Sequence, residues 1–560
     1  MITISASTKK KLRKEENAAK LTEKQLAEQK EAKKLKGYTM IFVVVVCLVL
    51  VAAVAIMGVT AFNNSGILQR NTDAMTVGEH TLNNAELNYF YIDLVNEFYS
   101  TWTQQYGEYA SMYMSLMGID TTKPLNTLPY TGGEEGYTYA DYFKDQAIAK
   151  AANAYTLYDL AVKEGHTVSD DVKATYESNL AMMKMYSGIY GYSNFEEYLK
   201  ALYGAGASEE TYQQYLDMLA LTDSFQTAKY DALSYDEAAI TAYSNEHFND
   251  FSAFDYCQFS VNVNDFLHNH EAVEGTHEHT EEENAAAEAA AKAAAETLAA
   301  GTYADAEALN NAINALEIYA GAETKKACSE NKNILFSNIT NEKIAAWLTE
   351  EGRAVGDVAV IPNEYTSTID GVETTRINGY YVVMFMNRED NNMNLVNVRH
   401  ILAKFEGGKT DSATGVTTYT EEEKAAALRD INIVKDLWLG SGADEAAFTA
   451  LVKDNSDDTG SKDNGGLYEN VYPGQMVAAF NDWCFGERKA GDYEIVETEY
   501  GYHLIYFVGE SDTTFRSYMV ENTLRNNEFD SWYEETTKAA VAKELNTKYL
   551  SLDIVLGNSQ

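Results

Sequence analysis

Two histidines, an aspartate and a threonine in the last third of this 560-residue chain stand where side chains can do chemistry. His400 lies at the centre of a β-like run, Asn397–Phe405 (NVRHILAKF). Asp458 sits in a polar stretch, Ser456–Ser461, that runs into Gly465-Gly466 and then Leu467 and Tyr468. Thr498 and His503 flank Tyr500-Gly501. Between them Gly474-Gln475-Met476 opens a predicted helix, on which Met476 and Phe480, four residues apart, share a face. The set combines an apolar surface with a few polar groups. No other triad, phosphate-cradling loop or paired-carboxylate site stands out. A separate cluster, His268, His270, His277 and His279, falls within twelve residues among glutamates. Such tracts can hold zinc or copper, but this one reads as a loop where insertions are tolerated, so neither a metal nor a cofactor is expected.

The elements that must position these residues recur. Near the C-terminus a Gly-Asp is followed by a strand and then by Tyr500–Phe507. Earlier, Gly356-Asp357 is followed by a strand and then by Asn378–Phe385. Upstream of each lies a helix with an Ala-Ala pair and a tryptophan, Ala478, Ala479 and Trp483 in one and Ala345, Ala346 and Trp347 in the other. Each copy opens with a strand, Phe254–Phe259 and Val396–Phe405. An acidic loop and an alanine-rich helix beginning Glu-Glu-Glu (281–283 and 421–423) come next. Such self-similarity implies two like domains in tandem. In the second copy, Leu428, Ile431, Val434 and Leu437 fall in helical step, and a shorter helix follows around Phe448, Leu451 and Val452.

The second copy resembles the parvulin (PpiC-type) rotamase domain, and the arrangement with helical flanks is similar to PrsA- and SurA-like foldases. The resemblance is close over Asn394–Val508 and loose over the flanks. It rests on five elements in the family's order: His-Ile-Leu, Gly-Gly, Gly-Gln-Met, a phenylalanine four residues after that methionine, and Thr-x-x-Gly-x-His. It implies that His400 and His503 are paired core histidines, that Asp458 fills a position held by Cys or Asp, and that Thr498 is the hydroxyl near the histidines. Met476 and Phe480 match the residues that cradle a proline ring, with Leu467 and Tyr468 beside them. Where the family reads Gly-Gly-Asp-Leu-Gly, this chain has Gly465-Gly466-Leu467-Tyr468-Glu469, which bears on the loop's shape and on substrate preference. The first copy has Tyr381 where the second has His503, and no histidine in its opening strand, so it reads as a degenerate, inactive copy.

The residue types suit that implied reaction. An X–Pro bond isomerises over a barrier of about 20 kcal/mol because amide resonance is lost at the twisted state. No bond breaks, so neither nucleophile nor metal is needed. A dry socket for the ring, and polar groups favouring the twisted amide, suffice. A 1,000-fold acceleration asks roughly 4 kcal/mol of them. Met476 and Phe480 suit the socket and Asp458 the electrostatic role, while the histidines are expected to fix the pocket floor rather than move protons.

Charge and hydropathy place the chain. Residues 1–37 carry a net +6 and the whole chain −42, which leaves −48 on residues 63–560. That balance excludes nucleic acid as a partner, because binding it needs basic surface. Met40–Val59 is twenty uncharged residues, about 30 Å as a helix, and matches the thickness of a bilayer core. The lysine-rich flank, Lys9 to Lys14, is expected to stay in the cytoplasm and residues 63–560 outside. Some 37 polar residues before the apolar run favour an uncleaved anchor over a signal peptide. The four cysteines, at 47, 257, 328 and 484, show no framework spacing and read as unpaired thiols.

The expected fold is therefore multidomain α+β: a cytoplasmic tail (1–37), a transmembrane anchor (38–62), a helical chaperone-like domain (63–250), a degenerate parvulin-like domain (251–390), a parvulin domain (391–511) and C-terminal helices (512–560) packing on the helical domain. The Met- and Tyr-rich run Tyr176–Tyr192 reads as ordinary helix packing or, alternatively, as an adaptable apolar surface for unfolded segments. The expected function is an extracytoplasmic peptidyl-prolyl isomerase and foldase acting on unfolded exported polypeptides, with flanks that could support a homodimer. The competing readings are a non-catalytic holdase and an extracellular metal-binding protein.

Overall fold

The computed structural model describes residues 65–267, 279–369, 372–411 and 415–556, with scattered positions before residue 65. Met40–Val59 and three of the four clustered histidines, His268, His270 and His277, lie outside the described residues. Among the described residues no helix is long and apolar enough to cross a membrane.

The described residues divide into two compact units, one formed by those up to 232 together with those from 528 onward, the other by those within 233–527. In the first, long helices surround an aromatic core. Helix Asn84–Tyr106 begins at a capping box in which Asn83 and Glu86 satisfy each other's backbone N–H groups. Thr138 and Asp141 do the same for Tyr139–Glu164, which stops at Gly165 in the left-handed conformation. Tyr89, Phe90, Tyr91 and Ile92 are all buried, four consecutive residues that no single helix face could hide. Helices Tyr139–Glu164, Phe195–Tyr203 and Glu209–Asp231 all pack against their helix. Asp93 is half-buried beside them and accepts the hydroxyls of Tyr203 (2.9 Å) and Tyr215 (2.8 Å). In contrast, Asp170–Ile189 buries only Ser187. It leaves Met182, Met185, Tyr186 and Ile189 exposed, with Tyr190 just beyond its end.

The C-terminal segment differs from the expected run of helices. One helix, Phe515–Thr537, is followed by a short strand, Ala542–Glu544, which pairs antiparallel with Asp73–Val77. The side chain of Asn84 accepts the Tyr549 N–H at 3.1 Å, and that of Asn88 accepts the Ser551 N–H at 2.9 Å. Pairing partners more than 400 residues away decide this conformation, and local helical propensity is overridden.

The second unit contains two four-stranded antiparallel sheets of the same strand order. In the first, the order is Ser329–Leu335, Ala253–Asn262, Val372–Glu389, Val358–Ile369. In the second, β1 (Asn394–Lys404), β2 (Leu467–Val471), β3 (Tyr493–Glu497) and β4 (Gly501–Thr514) run β2-β1-β4-β3. A long helix covers one face of each sheet. The repeated Glu-Glu-Glu places Glu283 and Glu423 at the third helical position, where each completes a capping box with Thr280 or Thr420.

In the second sheet the covering helix is α1 (Glu421–Gly440), followed by α2 (Glu445–Asn455). Its buried stripe is Ala427, Ile431, Val434 and Trp438. Leu428 and Leu437, expected on that face, are 37 % and 52 % exposed. Both stripes have helical spacing, and Trp438 decides between them because its ring packs on Phe448 and Tyr506. The opposite face is covered by the short helix α3 (Ala478–Cys484), with Phe480, Trp483 and Cys484 buried against Val398, Ile505 and Phe507.

Candidate active site

β1 and β4 are hydrogen-bonded neighbours, with His400 opposite Ile505 and Leu402 opposite His503. The two histidines are thus diagonal on one face of the sheet. Their planes are 18° apart and their Nδ1 atoms 3.1 Å apart. One proton fits between those nitrogens, so the two rings cannot both be cations. Both rings are buried, and Phe480 meets each edge to face, at 5.5 and 5.4 Å between centroids.

Each histidine has its outer nitrogen held. His503 Nε2 is 2.8 Å from Thr498 Oγ1, which also accepts the Tyr500 N–H at 3.2 Å. Thr498 and Gly501 close the β3–β4 turn, the Thr498 N–H donating to the Gly501 carbonyl at 2.9 Å. A Cβ on Gly501 would lie 2.2 Å from the Ala403 carbonyl, so the turn needs glycine there. His400 Nε2 lies 2.9 Å from Asp458 Oδ2 and 3.0 Å from Ser461 Oγ. Ser461 donates to the same Asp458 oxygen at 2.5 Å, and the Tyr468 hydroxyl does so at 3.2 Å.

These contacts set the charges. The hydrogen bond from His400, helped by Ser461, holds the Asp458 carboxyl well below the usual carboxylate range, against the opposing effect of burial. Burial, with the charge of His400 second, pushes His503 down to about 3. At neutral pH the site therefore holds an ionised aspartate and an uncharged His503.

The glycine pair has a geometric cause. Gly466 has φ +73°, and a Cβ there would sit 2.4 Å from the His400 carbonyl. The His400 N–H in turn donates to the Gly466 carbonyl at 2.9 Å. Only a residue without a side chain lets the loop carrying Asp458 come this close to β1.

Above the histidines opens a cavity of about 350 Å³. Tyr468, Met476, Val477, Phe480 and Leu402 supply its apolar wall, and His400, Asp458 and His503 its polar side. Two expectations differ in detail. Met476 does not share a helix face with Phe480, because α3 begins only at Ala478. Met476 reaches the cavity from the preceding turn, where Gln475 Oε1 accepts the Tyr472 N–H at 3.1 Å. Leu467 does not line the cavity. It neighbours Tyr468 on β2, and successive strand residues point to opposite faces, so only one of the two can face the site. Ser461 was not singled out in the sequence; the one available signal was its place three residues after Asp458 in a glycine-bearing loop.

Residues 380–510 match the family model of the PPIC-type PPIASE domain. The segment is a parvulin-type domain. Curated relatives of the chain are foldases. It is 43% identical over 63 residues to foldase protein PrsA 2 of Listeria monocytogenes, covering 11% of this chain and 22% of that protein. It is 35% identical over 100 residues to foldase protein PrsA of Caldanaerobacter subterraneus, covering 17% and 32% respectively. The matches thus span about a fifth to a third of those relatives' length. The crystal structure of PrsA from Bacillus subtilis aligns over 73% of this chain and 89% of that one, at 13% identity and a TM-score of 0.26.

The other sheet of this unit repeats the parvulin domain's strand order without its pair of histidines. Its register pairs Gln258 with Val383 and Ser260 with Tyr381. Gln258 and Tyr381 accordingly stand where the parvulin domain has His400 and His503.

Proposed function

We propose that the chain as a whole is a membrane-anchored, extracytoplasmic peptidyl-prolyl cis/trans isomerase that assists the folding of exported proteins. The observation that carries this reading is the 350 Å³ cavity, whose apolar wall of Tyr468, Met476 and Phe480 faces an ionised carboxylate across a pair of buried imidazoles. A proline ring seated on that wall would bring its preceding amide toward Asp458. A planar amide concentrates negative charge on its oxygen through resonance, and twisting relieves it. A fixed negative charge nearby therefore disfavours the planar form relative to the twisted one. Protein hydrogen bonds occupy the outer nitrogens of both imidazoles, so their role is to hold Asp458 and the pocket floor rather than to shuttle protons.

The anchor rests on the apolar run Met40–Val59 and its basic flank. Capture of unfolded chains is supported by helix Asp170–Ile189, whose exposed methionines and tyrosines offer yielding apolar contacts. That same surface favours a second reading, a holdase that uses the parvulin fold only as a grip.

The deciding experiment measures isomerisation of a panel of X-Pro peptides by residues 63–560, with Met476→Ala and His503→Ala beside the wild type. Activity that falls in Met476→Ala supports the enzyme. Inactivity on every peptide, with aggregation of an unfolded client still suppressed, supports the holdase.

A further inference from the structure

Asp458 is bonded unevenly. Its Oδ2 collects three side-chain donors, His400 Nε2 at 2.9 Å, Ser461 Oγ at 2.5 Å and the Tyr468 hydroxyl at 3.2 Å. Among the described residues its Oδ1 receives only the Gly460 N–H, at a long 3.3 Å. A carboxylate oxygen with spare lone pairs is the one that can act on a bound substrate. The three donors therefore decide which oxygen is spent on the protein and which is left for chemistry.

Of those donors His400 and Tyr468 also line the cavity, and Tyr468 is the one that belongs to its apolar wall. Its ring lies against His400, at 5.3 Å between centroids and 41° between planes. Its hydroxyl crosses the loop below it, so that a Cβ on Gly460 would be 3.3 Å from that oxygen. The strand pairing Tyr468–Val398 fixes its backbone. Tyr468 also stands where the related pattern Gly-Gly-Asp-Leu-Gly has leucine, a residue that cannot donate a hydrogen bond.

Resting on the isomerase reading, we propose that Tyr468 is a positioning residue. Its hydroxyl draws Oδ2 of Asp458 away from the cavity and so turns Oδ1 toward the substrate amide, while its ring sets the width of the proline socket. The two contributions separate by substitution. Tyr468→Phe keeps the ring and removes the donor, and Tyr468→Leu removes both.

The test measures kcat and KM for X-Pro peptides with the full chain, and records the His400 ring N–H resonance in histidine-labelled protein. Tyr468→Phe is expected to lower kcat about tenfold, a loss of about 1.4 kcal/mol at the transition state, with KM within about twofold of wild type. The His400 Nε2–H resonance is expected to move downfield, because Asp458 Oδ2 then serves one fewer donor. Tyr468→Leu is expected to raise KM as well. A Tyr468→Phe enzyme with wild-type kcat and an unmoved His400 resonance overturns the proposal and leaves the isomerase intact. A wild type inactive on every peptide overturns the isomerase reading, and this proposal with it.

Discussion

Lowering the pH should strain the site through His503, and the size of the effect follows from its burial. In the unfolded chain His503 titrates near its ordinary 6.5, whereas in the folded protein it is held at about 3. A folded value below the unfolded one means that the unfolded chain binds the proton first. The stabilisation is therefore fully present above about pH 6.5 and is lost as pH falls toward 3. Each unit of pH in that window costs about 1.4 kcal/mol, so between about pH 7 and about pH 4.5 the loss is on the order of 2–3 kcal/mol. Any folded value at or below about 4 leads to nearly the same figure. Other groups titrate over this range, so the quantity to measure is the difference between wild type and His503→Gln at each pH. Hydrogen exchange read on peptides from β4 reports the parvulin domain alone, which avoids averaging over the other domains. A wild-type advantage that shrinks by about 2–3 kcal/mol supports an imidazole kept neutral by its neighbours. A change below about 1 kcal/mol would mean that His503 accepts a proton in place, and the single-proton argument for the imidazole pair would fail.

Phe480→Ala should destabilise the parvulin domain by about 3–5 kcal/mol, read by urea denaturation, because Phe480 is 2 % exposed and packs on both imidazoles. Gly466→Ala should cost about 3 kcal/mol in the same assay, from its positive φ and a Cβ brought within 2.4 Å of the His400 carbonyl, and isomerisation should fall with it. Asp458→Asn should lower kcat on X-Pro peptides by about tenfold or more while the domain stays folded, since the amide keeps an acceptor but loses the charge. In the helical unit burial raises Asp93 above the usual carboxylate value, so the folded state binds its proton first. The stability of that unit relative to Asp93→Asn should be greatest at low pH and should decline as pH rises through the elevated folded value, as thermal melts at a series of pH values would show.

The chemistry of the site was legible because its signals are local. His400 in an alternating strand, the Gly-Gly pair and Thr498-x-x-Gly501-x-His503 each report a turn or strand whose shape depends on neighbours a few residues away. The likeness of the two copies was legible for the same reason, since strand, capping box and tryptophan helix recur in order. Position along a helix or strand was less so. Leu428, Ile431, Val434 and Leu437 have as good a helical step as Ala427, Ile431, Val434 and Trp438, and only the surface beneath chooses between them. Leu467 and Tyr468 are adjacent, and strand pairing alone settled which one faces the cavity.

What the sequence determined by itself was therefore the inventory of side chains and the local conformations that present them. Tertiary structure decided the rest. It brought Asp458, Ser461 and Tyr468 onto the imidazole of His400, it left Met476 in a turn rather than on a helix, and it paired Ala542–Glu544 with Asp73–Val77. Each of these depends on contacts between segments far apart in the chain. The free energy of such contacts is not encoded in any one segment, and it outweighs the few tenths of a kcal/mol by which local propensities differ.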